Sequence, residues 1–149
     1  MKQNVVERKI MWGDLDPLGI VFYPRYYEWI DASSHLFFES IGLNPATLWE
    51  KQQIGFGLVE TSCLYSQPGR YHQSIRIVTQ LEELTGKTLK LKHSIHRASN
   101  DALMVTGFEK RICMDVTNPK NIRAIAIPED IYSVLKNAMD APEDSDFLL

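Results

Sequence analysis

The sequence predicts an α+β domain in which one long helix lies against one curled antiparallel sheet. Three observations predict it. Residues 25–42 (RYYEWIDASSHLFFESIG) form an amphipathic helical pattern that is apolar on most sides, so something must wrap it. Four extended runs follow, at 56–65, 71–83, 87–98 and 102–116, and the middle two alternate apolar and polar residues with period two. The order of strand, long helix and antiparallel meander is held in 149 residues, enough for one domain with a sizeable core.

Each element follows from local chemistry. Residues 5–12 (VVERKIMW) read as a first strand. Gly13, Asp14, Asp16, Pro17 and Gly19 are turn formers and make 13–24 a loop. Pro24 suits a first helical position, and Gly42 suits a stop. Tyr26, Ile30, Ser33, Phe37 and Ile41 make one candidate buried stripe, with Tyr27, Asp31, Ser34 and Phe38 beside it. A short helical turn is expected near ATLWEKQ (46–52). Ile75, Ile77, Thr79 and Leu81 share one phase of their run, and Leu89, Leu91, His93 and Ile95 share one phase of the next. Gly86 and Ser99-Asn100-Asp101 are hairpin turns. After the turn TNPK comes a short strand at 121–127, and Pro128 opens a final helix, EDIYSVLKNAM. One domain is expected over 1–139, with an acidic, solvated and partly disordered tail at 140–149.

Composition narrows the function. Hydrophobic residues make up 44% and charged residues 23%, ordinary for a globular chain. The net charge of −3 gives no whole-protein case for nucleic acid. Removing the four acids of the last ten residues from the 19 Asp and Glu leaves 15 against 16 Lys and Arg, so the body is near neutral and has room for a local basic patch. Cys63 and Cys113 have no metal-ligand spacing and read as buried free thiols. The charged N-terminus is unlike a signal peptide, and no apolar run approaches the roughly 18 residues of a membrane span. A cytoplasmic location without membrane contact is the expectation.

Two carboxylates stand out in Gly13-Asp14-Leu15-Asp16-Pro17. Asp favours turns and caps, which accounts for both without any chemistry. A metal site of the Asp-x-Asp type needs an apolar strand just before it, and ERKIMW fits this poorly. A third reading is acyl chemistry. Pro17 holds Asp16 out of helical geometry. Seven residues on, the chain enters the long helix at Tyr23-Pro24, where unpaired N–H groups and partial positive charge suit a carbonyl oxygen. A carboxylate beside such donors can act as nucleophile or general base. The arrangement permits acyl transfer without demanding it.

The stretch GDLDPLGIVFYPRYYEWIDASSHLFF (13–38) resembles the signature of the 4-hydroxybenzoyl-CoA thioesterase family of hotdog proteins: an Asp followed by Pro, a Gly, an apolar pair, Tyr-Pro and then the central helix. Tyr65, Pro68 and Tyr71 resemble a second block of the family, and Arg123-Ala124-Ile125 with Pro128 its last strand and exit. The resemblance covers nearly the whole chain and is strongest over 13–38. It implies a hotdog fold, a long helix wrapped by five or six antiparallel strands. It also implies a homodimer as the minimal active unit, often paired into a homotetramer, with active sites between subunits. The substrate is then an acyl-CoA; no metal or other cofactor is expected, CoA entering as part of the substrate.

Residue by residue, Asp16 matches the catalytic carboxylate, and the Tyr23 N–H matches the donor that polarises the thioester carbonyl. Asp31 matches an acceptor for a substrate ring hydroxyl, with Tyr27 on the same stripe as a second substrate-binding candidate. Lys87 and Arg123 match nucleotide contacts, whereas Lys90 and Lys92 read as a solvated strand face. Three departures appear. Thr85-Gly86 stands where close members run several bases, and Gln73 where many have Asp. Glu60 lies on a strand, not on the helix where another thioesterase branch keeps its Glu, which leaves it a place as a buried or rim carboxylate. His35, His72, His93 and His96 lack catalytic company, and the loop 13–24 has no His, unlike hotdog dehydratases. Alternatives are a thioesterase for fatty or polyketide chains on CoA or a carrier protein, and a non-catalytic acyl-CoA-binding hotdog protein.

Overall fold

The computed structural model describes residues 1–142; the acidic tail expected at 140–149 lies, beyond Pro142, outside the described residues. The elements are β1 (Gln3–Lys9), α1 (Pro24–Ser40), α2 (Pro45–Gln52), β2 (Ile54–Tyr65), β3 (Ser74–Leu84), β4 (Thr88–Arg97), β5 (Leu103–Asp115), β6 (Arg123–Ala124) and α3 (Glu129–Asp140). No helix among the described residues is long and apolar enough to cross a membrane.

The sheet order is β1-β3-β4-β5-β2, all antiparallel, with β6 paired to the end of β5. Only β3, β4 and β5 form the expected meander. β1 pairs along β3, so β2 crosses over and pairs with β5 instead. Register shifts between Leu58 and Glu60, and between Leu81 and Glu83, bend their strands and help the sheet curl around α1.

Pro24 opens α1 as expected. The helix ends in a Schellman arrangement: Gly42 N–H donates to Glu39 O at 3.0 Å, and Leu43 N–H to Phe38 O at 2.8 Å, with Gly42 at φ +86°. β1 stops at Lys9 and not at residue 12, because Trp12–Asp14 form a 3-10 turn closed by Asp14 on the Met11 N–H. β6 is shorter than 121–127: past Ala124 the chain bonds partly to the β3–β4 turn, with Ile127 N–H on Gly86 O at 2.8 Å.

The core has two apolar halves. One gathers Tyr26, Trp29 and Ile30 of α1 with Ile75, Ile77, Ile95 and Val105. The other gathers Phe37 and Phe38 with Leu81, Leu89, Leu91, Cys113 and the buried face of α3 (Ile131, Leu135, Ala138). Between them lies a stratum of buried polar side chains: Ser33 and Ser34 from α1, Thr79 from β3, His93 from β4, and Glu109 and Arg111 from β5.

Candidate active site

The loop before α1 is built around Asp16. Asp16-Pro17-Leu18-Gly19 is a β-turn: Gly19 N–H donates to Asp16 O at 2.9 Å, Pro17 takes the second position, and Gly19 has φ +77°. One carboxylate oxygen, Oδ1, accepts the Leu18 N–H at 2.8 Å, as Asp does in such turns. Asp16 is thus a turn former and a half-buried carboxylate that also lines the neighbouring cavity. Asp14 points elsewhere. It is buried, bonds the Met11 N–H, and lies 3.6 Å from an Arg8 nitrogen and 3.9 Å from Arg25 Nε. The two carboxylates have separate partners, and only Asp16 lines the cavity.

That cavity, about 340 Å³, is lined by Asp16, Ile20, Tyr23, Tyr26, Tyr65 and Gly69 among others. α1 has no side-chain cap. In its first turn, Arg25 N–H donates to Phe22 O, Tyr26 N–H to Tyr23 O, and Pro24 has no N–H. Among the described residues the Tyr23 N–H has no acceptor, which makes it the free donor at the positive end of the helix. Gly69 lets the wall close in: a Cβ there would meet Ile10, Val21 and the Tyr26 hydroxyl within 3 Å. Tyr27 neighbours Tyr65 and Cys63, and burial pushes the Tyr27 and Tyr65 phenols above the ordinary tyrosine value, so both remain hydroxyl groups.

Asp31 does not line the Asp16 cavity; its partner His35 lines a second cavity of about 200 Å³. This one is apolar, lined by Phe38, Leu48, Trp49, Phe56 and Met114, with His35 at its edge. His35 Nδ1 bonds the Asp31 carbonyl at 2.8 Å and sits 3.6 Å from its carboxylate. Arg111 Nη2 donates to Asp31 Oδ1 at 2.7 Å, and Nη1 to Phe56 O at 3.1 Å. β2 begins at the apolar cavity with Ile54, Gly55 and Phe56 and ends at the Asp16 cavity with Tyr65.

Lys87 and Arg123 are both exposed and lie at one end of β5, where the Lys87 carbonyl accepts the Cys113 N–H and Arg123 pairs opposite Asp115. Lys90 is engaged on the sheet surface, 3.8 Å from Glu82 and over the Phe108 ring. Glu60 is exposed and shares a polar cleft with Lys90 and Lys110, so it is neither buried nor on the rim of the Asp16 cavity. Gln73 shapes a turn by accepting the Arg70 N–H at 2.9 Å. Cys113 is a buried free thiol as expected, while Cys63 is only half-buried.

His93 has no part in the Asp16 cavity, but it is buried in a polar cluster of its own. Its Nε2 lies 3.2 Å from Ser34 Oγ and 3.1 Å from Glu109 Oε1, and its Nδ1 2.8 Å from Thr79 Oγ1. Ser34 donates to Glu109, and Arg111 Nη2 to Glu109 Oε2 at 2.9 Å. Burial pushes the Glu109 carboxyl up, but His93, Arg111 and Ser34 outweigh it and hold it below the usual range. A signal for this cluster was in the sequence: Thr79 and His93 sit in phase with the inward-facing Ile and Leu residues of their strands.

A long helix wrapped by a six-stranded antiparallel sheet is the hotdog fold, here with Asp16 and Tyr23 on one cavity. The chain belongs to the thioesterase-like superfamily, whose family model matches residues 10–135. It is 29% identical over 129 residues to the 4-hydroxybenzoyl-CoA thioesterase of Pseudomonas sp. strain CBS-3, covering 84% of this chain and 92% of that protein. It is 20% identical over 123 residues to the acyl-CoA thioesterase YbgC of Haemophilus influenzae, covering 83% and 87%. Among solved structures, a mutant 4-hydroxybenzoyl-CoA thioesterase complexed with 4-hydroxybenzoyl-CoA superposes with a TM-score of 0.83 at 26% identity, covering 91% of this chain and 99% of that one. A gentisyl-coenzyme A thioesterase superposes with a TM-score of 0.75 at 30% identity, covering 90% and 100%. The resemblance and the fold expected from the sequence are both met.

Proposed function

We propose that this acyl-CoA thioesterase acts on hydroxyaryl-CoA esters, with Asp16 as nucleophile or general base and the Tyr23 N–H polarising the thioester carbonyl. The observation that carries the reading is that Asp16 and Tyr23 line one cavity, and that the Tyr23 N–H has no acceptor among the described residues. Attack by the free Asp16 oxygen, or by water that gives its proton to Asp16, places negative charge on the carbonyl oxygen, where the helix-terminal N–H meets it. Collapse of that intermediate breaks the carbon–sulfur bond. CoA leaves as a thiolate and takes up a proton; in the covalent route, water then hydrolyses the aspartyl anhydride.

Asp31 accepts the ring hydroxyl in this reading, with Tyr27 as a further substrate contact. The names of two relatives, 4-hydroxybenzoyl-CoA and gentisyl-coenzyme A thioesterase, support a hydroxyaryl group. Lys87 and Arg123 meet CoA phosphates; their exposure at one end of β5 supports this.

A homodimer is the minimal active unit, pairing again into a tetramer in the cytoplasm. Pairing two copies antiparallel along β2 would bring the start of one strand to the end of the other. The apolar cavity of one subunit then adjoins the Asp16 cavity of its partner, so that acyl group and thioester are held by different subunits.

Thiol release from 4-hydroxybenzoyl-, benzoyl-, phenylacetyl- and medium-chain fatty acyl-CoA, run on wild type and Asp16→Asn, tests the reading. The wild type is expected to turn over the hydroxyaryl ester fastest, and the variant to lose at least about a hundredfold in kcat while folding normally. An active Asp16→Asn would remove the role given to Asp16. A preference for fatty chains would replace the substrate class.

A further inference from the structure

The polar stratum reaches the surface through Arg111 to Asp31. The Asp31 side chain is 56% exposed and the Arg111 side chain 4%. An exposed carboxylate ordinarily pairs with a cation on the surface, where the pair is loose and screened by water. Here the cation comes from beneath. Arg111 Nη2 bridges Glu109 Oε2 and Asp31 Oδ1, and Nη1 fixes the β2 carbonyl of Phe56, on the wall of the apolar cavity. Glu109 is in turn held by Ser34 and His93, and His93 by Thr79. Stability alone does not require this arrangement, since buried ion pairs are often replaceable by apolar residues without loss. Its geometric product is a carboxylate with one oxygen tethered and the other, Oδ2, facing outward beside His35 at 3.6 Å.

We propose that Arg111 is a positioning residue for substrate selection. Braced from the core by Glu109, His93 and Ser34, it tethers Asp31 by Oδ1 so that Oδ2 stands fixed beside His35, which lines the apolar cavity, as an acceptor for a hydrogen-bond donor on the acyl group. The inference rests on the reading of Asp31 as the hydroxyl acceptor. A lysine at 111 keeps the charge but, as a single point donor, does not span Glu109, Asp31 and Phe56 at once.

The test is the ratio of kcat/KM for 4-hydroxybenzoyl-CoA to that for benzoyl-CoA in wild type, Arg111→Lys, Asp31→Asn and the double variant. Arg111→Lys is expected to lower the ratio about tenfold, mainly through KM of the hydroxy ester, with benzoyl-CoA within about twofold of wild type; this is the scale of one weakened hydrogen bond to a charged group. In the Asp31→Asn background the lysine should change the ratio no further, because Arg111 acts through Asp31. Equal losses on both esters, or the same drop in ratio with and without Asp31, would overturn the proposal while leaving Asp31 its role. An unchanged ratio in Asp31→Asn would instead remove the Asp31 reading and this inference with it.

A measurement on the wild type needs no variant to fold. The Arg111 guanidinium Nη–H resonances should exchange slowly and shift when the inert thioether 4-hydroxyphenacyl-CoA is added, and shift less with phenacyl-CoA. Identical responses to both analogues would count against the proposal.

Discussion

At Gly69 the cavity wall, the β1 exit and α1 meet within the width of one methyl group. An added Cβ would stand 2.8 Å from Ile10 Cδ1 and Val21 Cγ2 and 2.9 Å from the Tyr26 hydroxyl, and Ile10 and Val21 are buried. Gly69→Ala is therefore expected to cost about 1–3 kcal/mol of stability by overpacking and to lower kcat by displacing the Asp16 cavity wall. Thermal unfolding and thiol release check it; a variant with wild-type melting temperature and turnover would show that the wall yields freely. Residues of this site differ in how legible they were. Asp16 and Tyr23 were singled out by the family resemblance over 13–38, and Pro17, Gly19 and Pro24 made the turn and helix start around them readable. The partner of Asp31 could not be read: Arg111 is 80 positions away, in a run, EKRIC, whose charges look like a solvated face until the curl of the sheet turns it inward.

Among the elements, β1 and β2 are the two edge strands of the sheet, and β2 is the longer. It pairs with β5 on one side only, and Leu58, Val59, Leu64 and Tyr65 are exposed along its twelve residues. A long apolar edge invites another strand, and a lysine blunts it. Val59→Lys is expected to shift the protein towards monomer in sedimentation velocity and to lower thioester hydrolysis in parallel; a dimer of unchanged activity would show that copies join elsewhere. The period-two patterns identified β3 and β4 to within a few residues, and Pro24 and Gly42 bracketed α1. The place of β2 was not readable that way, since alternation reports which face of a strand is buried and nothing about its neighbour. The ends of β1 and β6 were overestimated for a related reason. Apolar side chains continue past Lys9 and Ala124, but the backbone there takes its hydrogen bonds from turns.

For the molecule as a whole, the charged stratum makes stability depend on acid. In the fold the Glu109 carboxyl is held below its ordinary value of 4.5, so the folded chain binds this proton less readily than the unfolded chain. Its contribution is fully present above that value and fades as pH falls through the lower folded one. Glu109→Gln should melt lower near neutral pH, since Arg111 loses its inner charge partner, and its melting temperature should fall less steeply than that of wild type below about pH 4.5. Parallel melting curves between pH 2.5 and 7 would show that Glu109 does not titrate on unfolding. The division of the core has a further consequence. One apolar half underlies the loop that carries Asp16, and the other supplies Phe38, Leu43, Leu48 and Ile54 to the second cavity. Side chains separated by that layer share few neighbours, so substitutions on its two sides should combine almost independently. On the proposed function such a protein is modular: the end given to the acyl group can drift in shape and size while the end given to bond cleavage keeps its geometry.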